Sequence, residues 1–305
     1  MGYVPADRTR SPREGVGHLI VVLTSMFNTQ MLGAVDRSAR ELGYGTATVF
    51  VGDAPGDIME ANATLQLLEG KVAGLLLVNF FDKDNTEFIQ TVLPRYKVVQ
   101  VGEFTPLAGQ NYCVSSDDYQ AAYDLTTHLL EQGRRRIAIF ATQNAASRMY
   151  FEKQRINGYR AALLDHGITP EEELVRYADF TPEGAAYATR KMLRTMGDRL
   201  PDAVYCVCDG LAMGCLKVLH DAGVSVPGQI AVAGMDGLEA SEYLSPTLTS
   251  IRQDFGQIGS EAVHLLHEVL QGRVQGGRKI YVPHQLMVRG STCAAAERNL
   301  YTESD

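Results

Sequence analysis

The sequence predicts an α/β protein made of two lobes, each built around a doubly wound parallel sheet. From residue 18 onward, short apolar runs alternate with longer segments of helical period, a pattern that is typical of βαβ units. The alternation starts afresh after residue 141, which indicates a second sheet. With 305 residues, of which 45% are hydrophobic and 21% charged, the chain has enough material for two globular lobes.

The first lobe is predicted to begin at residue 18 with a buried strand. HLIVVLT (His18 to Thr24) is a short apolar run, and the helical segment Gln30 to Leu42 that follows it ends before Gly43. The same pattern predicts strand 46–51, helix 57–68, strand 73–78, helix 85–93, strand 97–101, helix 117–131 and strand 136–141.

The second lobe repeats this plan. Its predicted elements are helix 154–166, strand 174–177, helix 182–196, strand 203–207, helix 211–222, strand 229–233 and strand 247–251. The chain then continues with another long helix, 255–270, and a strand pair in KIYVP and QLMVRG. These late elements predict crossovers between the lobes, although the pattern leaves their own lobe open. Two adjacent α/β lobes favour a ligand cleft between them, at the carboxyl ends of the strands.

Charge and composition exclude several classes of protein. The net charge of −8 has the wrong sign for a body that holds DNA phosphates over a broad surface. Residues 1–15 are the exception, because this polar segment carries three arginines and two prolines and is predicted to be a linker with a basic bias. No apolar run approaches the roughly 18 to 20 residues of a membrane span, and no signal peptide is evident, so we expect a cytoplasmic protein without a membrane partner. The odd number of cysteines, five, argues against a disulfide framework.

No motif indicates catalysis, a cofactor or a metal. The sequence has neither the phosphate-binding GxxxxGK[ST] nor the nucleophile motif GxSxG, and GVG at residues 15–17 precedes the first strand instead of following it. His264 and His267 lie three residues apart on a predicted helix but have no third ligand at motif spacing. Cys206 and Cys208 alternate along a strand, as core residues do. We therefore predict no catalytic residues, no cofactor and no metal.

Five residues at or near strand ends form the candidate ligand site. Phe27 follows the first strand, Asp209 follows AVYCVC and Asp236 follows IAVAGM. A carboxylate can accept hydrogen bonds from vicinal hydroxyls, and Arg155 supplies up to five donors in a planar fork. Phe180 and Phe27 offer faces for stacking, so the set suits a polyhydroxylated or ring-containing ligand.

Simpler roles for three of these residues are left open by the pattern. Asp209 could cap the helix that follows it, and Asp236 could belong to a turn in AGMDG. Arg155 could be a solvated helix residue.

Several segments, in order and spacing, resemble the effector domain of the LacI/GalR family of bacterial transcription regulators over about residues 16–293. They are VSSDDYQAAYDLTTHLLEQGRRRIAIFA, QRINGYRAALLDHGI, ADFTPEG, PDAVYCVCDGLAMGCLKVLHDAGVSVPGQIAVAGMD, SPTLTSIRQD and VPHQLMVRGST. The wording of GEFTP, EQGRRRIAIFA and ADFTPEG is most similar to the cytidine-sensing members.

The resemblance implies a class I periplasmic-binding-protein-like fold with three crossovers, near Ala141, Ile251 and Lys279. The N-terminal lobe would comprise residues 16–141 plus 252–279, and the C-terminal lobe residues 142–251 plus 280–295. Residues 1–15 would be the remnant of the headpiece linker, and residues 296–305 a tail. It also implies a homodimer formed through both lobes, in which effector binding changes the geometry of the DNA-binding halves.

By motif match, Arg155 of QRINGY, Asp236 of AGMD and Phe180 of ADFTPEG occupy ligand-contacting positions of that family, with Asp209 and the Phe27 loop nearby. Arg155 and Asp236 would bind hydroxyls or ring nitrogens, and the phenylalanines would stack on a ring. The effector would be a sugar or a nucleoside.

The same resemblance implies a repressor that binds operator DNA through a helix-turn-helix headpiece ending in GYxP. Because GYVP stands at residues 2–5, that headpiece is expected to be absent from these 305 residues. One alternative is a solute-binding protein of a transporter, which shares the fold. Another is a nucleoside or sugar hydrolase that uses Asp209 and Asp236 as a carboxylate pair.

Overall fold

The structure is a computed structural model that describes residues 18–25, 28–51, 57–78, 88, 95–102, 112–142 and 150–293. The described residues divide into two compact units. Unit 1 comprises those up to Ser115 together with Phe255–Ile280, and unit 2 comprises Ser116–Asp254 together with those from Tyr281 onward. The predicted linker (1–15), the predicted tail (296–305), Phe27 and the predicted helix 85–93 apart from Phe88 lie outside the described residues.

Strands and helices alternate along most of the described chain. In chain order they are β1 (Leu19–Thr24), α1 (Thr29–Glu41), β2 (Gly45–Phe50), α2 (Asp57–Leu67), β3 (Val72–Val78), β4 (Val98–Val101), β5 (Tyr112–Ser116), α3 (Asp118–Glu131), β6 (Ile137–Thr142), α4 (Tyr150–Asp165), β7 (Val175–Ala178), α5 (Pro182–Met196), β8 (Ala203–Cys206), α6 (Asp209–Asp221), β9 (Ala231–Asp236), β10 (Thr249–Arg252), α7 (Phe255–Leu270), β11 (Arg278–Val282) and β12 (Gln285–Met287).

Unit 1 is built on a sheet whose described strands have the order β11-β5-β4-β3-β1-β2. The pairs from β2 to β5 are parallel. The interior of β1, from Ile20 to Leu23, is at most 1% exposed, which explains its continuous apolar sequence, because a central parallel strand is covered on both faces. The helix α1 begins where the side chain of Asn28 accepts a hydrogen bond from the Met31 amide, 2.9 Å away, and it ends just before Gly43, whose φ is 85°.

Unit 2 is built on a second sheet whose described strands have the order β12-β10-β9-β8-β6-β7. All of its pairs are parallel except the one between β10 and β12. The helices α3 and α4 pack closely on each other, and Gly158 makes this possible: a Cβ atom there would lie 2.2 Å from the Tyr119 carbonyl oxygen. The fold class predicted from the sequence, two parallel-dominated sheets with flanking helices, is therefore confirmed.

The boundary between the units differs from the predicted one. Residues 116–141 were expected in the first lobe, but β6 lies between β7 and β8 in the second sheet, and α3 packs on α4 in unit 2. The first segment of unit 1 therefore ends at Ser115. The alternation of strands and helices predicts which elements form, but it does not specify the sheet that a strand joins, because that choice depends on contacts distant in sequence.

The structure also shows whether any described helix could span a membrane and in which state the cysteines are. Among the described helices, none combines the length with the apolar character needed to cross a lipid bilayer. The five cysteines are free thiols, and four of them are buried: Cys113, Cys206, Cys208 and Cys215.

Candidate functional site

The candidate site lies at the carboxyl end of the sheet in unit 2, where open α/β sheets place their ligands. Asp236 is the last residue of β9, and Asp209 is the first residue of α6, just after β8. Phe180 lies between β7 and α5, and Arg155 is on α4. Four of the five residues predicted from the sequence are thus on or beside one sheet, while Phe27 lies outside the described residues.

Arg155 is buried and held by the protein itself. Its Nε and Nη2 atoms both lie 2.8 Å from Oδ1 of Asp118, which is on the first turn of α3. Its Nη1 donates to the Val207 carbonyl, and its Cζ lies 4.6 Å from the centroid of the Phe151 ring. Burial by itself lowers the pKa of Arg155, but the nearby carboxylates of Asp118 and Asp236 raise it above the ordinary value, so the side chain is a fixed cation. The alternative of a solvated helix residue is wrong for Arg155, which is 5% exposed.

Asp236 presents a carboxylate from a strained backbone position. Its φ of 118° is the only positive value at a non-glycine residue among the described residues, and strain of this kind persists where the surrounding structure imposes it. Oδ1 accepts a hydrogen bond from Gln253 Nε2 at 2.9 Å and lies 3.9 Å from Arg155 Nη1. The side chain keeps 23% of its surface exposed.

The pKa of Asp236 is raised to about 7. Burial is the largest cause, and the carboxylate of Asp209 adds to it, whereas Arg155 opposes it. The carboxyl group therefore changes its charge near neutral pH.

Asp209 has a different role from the predicted one. It is fully buried, and its carboxylate accepts hydrogen bonds from the Leu238 amide at 2.7 Å, Ser241 Oγ at 2.8 Å and Ser250 Oγ at 2.6 Å. Burial raises its pKa, and these three donors oppose that rise. The carboxylate thus connects the start of α6 to the segment after β9 and to β10. We correct the expectation of a ligand contact: with no exposed surface and three internal donors, this carboxylate serves the fold.

Phe180 is accessible. It is 41% exposed and precedes Thr181, whose Oγ1 accepts a hydrogen bond from the Gly184 amide at 3.0 Å and caps α5. A half-exposed ring on a fixed helix cap can stack on a ligand without rearrangement.

The structure adds residues that the sequence pattern does not single out. Asp118 holds Arg155, and Gln253 holds Asp236. Glu152, one turn before Arg155 on α4, is 6% exposed and accepts a hydrogen bond from Thr142 Oγ1 at 2.7 Å; burial raises its pKa. Asp118 and Gln253 both fall in segments with family resemblance, VSSDDY and SIRQD, which was the available indication.

Tyr205 on β8 is another buried polar residue near Arg155 that the sequence pattern does not single out. It is fully buried, and its hydroxyl has no hydrogen-bond partner within the described part of the chain. The charges of Arg155, Asp118 and Asp236 all act on it electrostatically. Burial is the main reason why its pKa is raised.

Over the described ranges, no group of three or more His, Cys, Asp or Glu side chains is arranged to hold a metal ion.

Comparison with known proteins places the chain in a family. The family model described as a periplasmic binding protein-like domain matches residues 126–292. The chain is 28% identical over 302 residues to the HTH-type transcriptional repressor CytR of Escherichia coli strain K12, a match that covers 96% of this chain and 85% of the relative.

Solved structures agree with this result. The transcriptional regulator CelR in complex with cellobiose has a TM-score of 0.80 at 26% identity, with 90% of this chain and 85% of that chain covered. A putative LacI-family transcriptional regulator from Sanguibacter keddieii has a TM-score of 0.75 at 28% identity, with 90% of this chain and 98% of that chain covered.

Proposed function

The chain belongs to the family of periplasmic binding protein-like domains, in the form that LacI-type transcription regulators carry, and from this premise we propose a specific role for its site. It is the effector-sensing core of a transcriptional repressor. The effector is a small polyhydroxylated molecule, a sugar or a nucleoside. It binds at the carboxyl end of the sheet in unit 2, and it is not chemically changed.

The observation that carries this proposal is the arrangement of Asp236 and Arg155. Both polar contacts of Asp236 fall on Oδ1, so Oδ2 can accept from a hydroxyl of the ligand. Arg155 is fixed beside it and retains guanidinium N–H groups for a ring oxygen or hydroxyl. Phe180 provides an exposed aromatic face, which suits the apolar face of a sugar or a nucleobase.

The relatives support the choice of ligand. CelR, at 26% identity, is described in complex with cellobiose, a neutral sugar. The resemblance to cytidine-sensing regulators favours a nucleoside as the second class to test.

Regulation of DNA binding follows from the same premise. An effector changes operator affinity only if it binds two conformations of the protein with different affinity. We infer that the protein works as a homodimer that binds operator DNA through helix-turn-helix headpieces. The description of CytR as an HTH-type repressor supports this inference.

The proposal is tested by screening the purified chain in a thermal-shift assay against cytidine, other nucleosides, ribose, glucose and cellobiose. A ligand at 100 times its Kd stabilises the folded protein by about 2.7 kcal/mol, a shift of a few degrees in Tm. Each hit is then titrated by calorimetry and recovered for chromatography.

The expected result is saturable binding with the ligand recovered unchanged. Asp236→Asn should weaken binding by about tenfold or more, whereas Asp221→Asn, an exposed carboxylate at the far end of α6, should leave it unaffected. Consumption of the ligand would replace this proposal with a hydrolase, and binding unaffected by Asp236→Asn would show that the site is elsewhere.

A further inference from the structure

We propose that the site selects an uncharged effector and rejects the phosphorylated form of the same molecule. This inference rests on the proposed function, because it concerns the ligand class of the same site. It follows from the balance of charges around Arg155 and from the starts of the surrounding helices.

The charge of Arg155 is already matched inside the protein. Two of its nitrogens lie 2.8 Å from Oδ1 of Asp118, which is 8% exposed, and a third donates to the Val207 carbonyl. Of the five N–H groups of a guanidinium, these contacts leave two. Arg155 can therefore donate hydrogen bonds to a ligand, but it has little unmatched positive charge for a phosphate.

Among the described residues, several carboxylates lie near Arg155. Asp236 lies 3.9 Å from its Nη1, and Asp209 acts electrostatically on Asp236. Glu152 is buried one turn away on α4 and is itself influenced by the charge of Arg155. Arg289 also acts on Asp209, but it is paired with the Glu242 carboxylate at 2.7 Å. Even with Asp236 protonated, the carboxylates of Asp118, Asp209 and Glu152 therefore outnumber the unshared cation Arg155, so a dianionic phosphate would meet net repulsion in a region of low dielectric.

Helix starts, the usual anion sites of this architecture, carry the protein's own acidic residues in unit 2. A helix N-terminus attracts phosphate because its free amides and its dipole favour negative charge. In unit 2, the helices α3, α4, α5 and α6 all carry an acidic residue in the first turn: Asp118, Glu152, Glu183 and Asp209. Three of these, Asp118, Glu152 and Asp209, are buried. The N-terminus of α3 is further used by Asp117, whose Oδ1 accepts from the Gln120 amide at 2.9 Å.

A neutral polyol, unlike a phosphate ester, matches the charges of this site. Its hydroxyls can donate to Asp236 and accept from Arg155, so no charge has to be compensated on binding. Each phosphate added to such a ligand would introduce about two negative charges at neutral pH. The site therefore distinguishes a free sugar or nucleoside from the corresponding phosphate ester.

The test compares matched pairs by calorimetry with the full chain: cytidine with cytidine 5′-monophosphate, ribose with ribose 5-phosphate, and glucose with glucose 6-phosphate. We expect one neutral member to bind and its phosphate ester to bind at least about 100-fold more weakly, a difference of two tenfold steps in Kd. Equal or tighter binding of a phosphorylated member would overturn the inference and leave the proposed sensor function standing. If neither member of any pair bound, and cellobiose did not bind, the proposed function itself would fail.

A charge variant tests the cause. Asp118→Asn keeps the shape of the side chain but removes the carboxylate in direct contact with Arg155, so the preference for the neutral member should fall by about tenfold or more. The control Asp221→Asn changes the net charge by the same amount, but Asp221 is twelve residues, about 18 Å along the helix, from Asp209. The Asp221→Asn protein should prefer the neutral ligand over its phosphate ester to the same degree as the wild type.

An unchanged preference in a folded Asp118→Asn protein would show that the carboxylates do not set the selectivity. If that variant does not fold, as circular dichroism would reveal, Asp236→Asn takes its place, and the ratio of the two affinities remains the readout. In either case, the ratio of the two Kd values in the wild type decides whether the site prefers the neutral ligand.

Discussion

Arg155 and Asp118 form a buried ion pair in which two guanidinium nitrogens, Nε and Nη2, lie 2.8 Å from the same carboxylate oxygen. The pair joins α4 to α3, the two helices that also approach each other at Gly158. Its position means that Arg155, which we propose as an effector contact, is also a structural residue of unit 2. Binding and folding therefore cannot be separated by removing Arg155.

The first prediction concerns this double role. Arg155→Ala should lower the free energy of unfolding by about 3–5 kcal/mol, because it leaves the Asp118 carboxylate buried without its cation. Urea denaturation followed by circular dichroism measures the change. Arg160→Ala is the matched control on the same helix, since Arg160 pairs with Glu172 at an exposed position and should cost less than about 1 kcal/mol. Equal, small losses in the two variants would mean that the Arg155 pair does not support the fold.

The second prediction is a pH dependence of stability caused by Asp236. Its pKa in the folded protein is about 7, against 3.8 for the free side chain, so the folded state binds more protons than the unfolded state between these values. Stability should therefore fall as pH rises from about 4 to about 7 and change little above that range through this group. Urea midpoints at pH 5, 6, 7 and 8 measure the slope.

The control for this prediction is Asp236→Asn, which cannot titrate. The slope should become shallower in that variant, and a part should remain, because burial also raises the pKa values of Asp209 and Glu152. Burial lowers the pKa values of His128 and His267, which makes stability rise with pH, so the readout is the difference between the wild-type and variant slopes. An identical slope in the variant would contradict the assignment to Asp236.

The third prediction concerns Gly158. A Cβ atom at this position would lie 2.2 Å from the Tyr119 carbonyl oxygen and 3.0 Å from the Tyr123 amide nitrogen. Gly158→Ala must therefore push α4 away from α3, and it should destabilise the protein by about 1–3 kcal/mol or more. In Gly210→Ala the nearest atom to the new Cβ is Cys208 Sγ at 3.8 Å, so this variant should be neutral or slightly more stable. Thermal unfolding of both variants makes the comparison, and similar melting temperatures would show that the helices are not in close contact at Gly158.

The sequence predicted the fold class and most elements, because apolar runs and helical period are local properties. It could not predict that β6 joins the second sheet or that β9 continues to Asp236, since both depend on pairing with distant strands. For the candidate site, it predicted Arg155 and Asp236 but not the residues that hold them in the structure, Asp118 and Gln253. Asp118 is 37 residues from Arg155 along the chain, and Gln253 is 17 from Asp236.

Asp209 shows the limit of reasoning from position. A carboxylate after a strand has the same local pattern whether it faces a ligand or the interior. The donors that make it internal, Ser241 and Ser250, follow it by 32 and 41 residues. Only the folded chain brings them to one place, and only there does the burial of Asp209 become apparent.

The last prediction separates the roles of two exposed aromatic residues, one just before α5 and one within it. Phe180, 41% exposed and next to the helix cap, should stack on the effector, whereas Tyr187, 62% exposed, is on the helix itself. Phe180→Ala should weaken binding of the ligand found in the screen by about 2- to 13-fold, since a stacking contact contributes about 0.5–1.5 kcal/mol. Its free energy of unfolding should change little, because a half-exposed side chain contributes little to the core. Tyr187→Ala should change neither quantity. Calorimetry with both variants decides the matter: equal affinities would remove Phe180 from the site and leave Arg155 and Asp236 as its proposed contacts, whereas a selective loss in Phe180→Ala would place the ring of the effector beside α5.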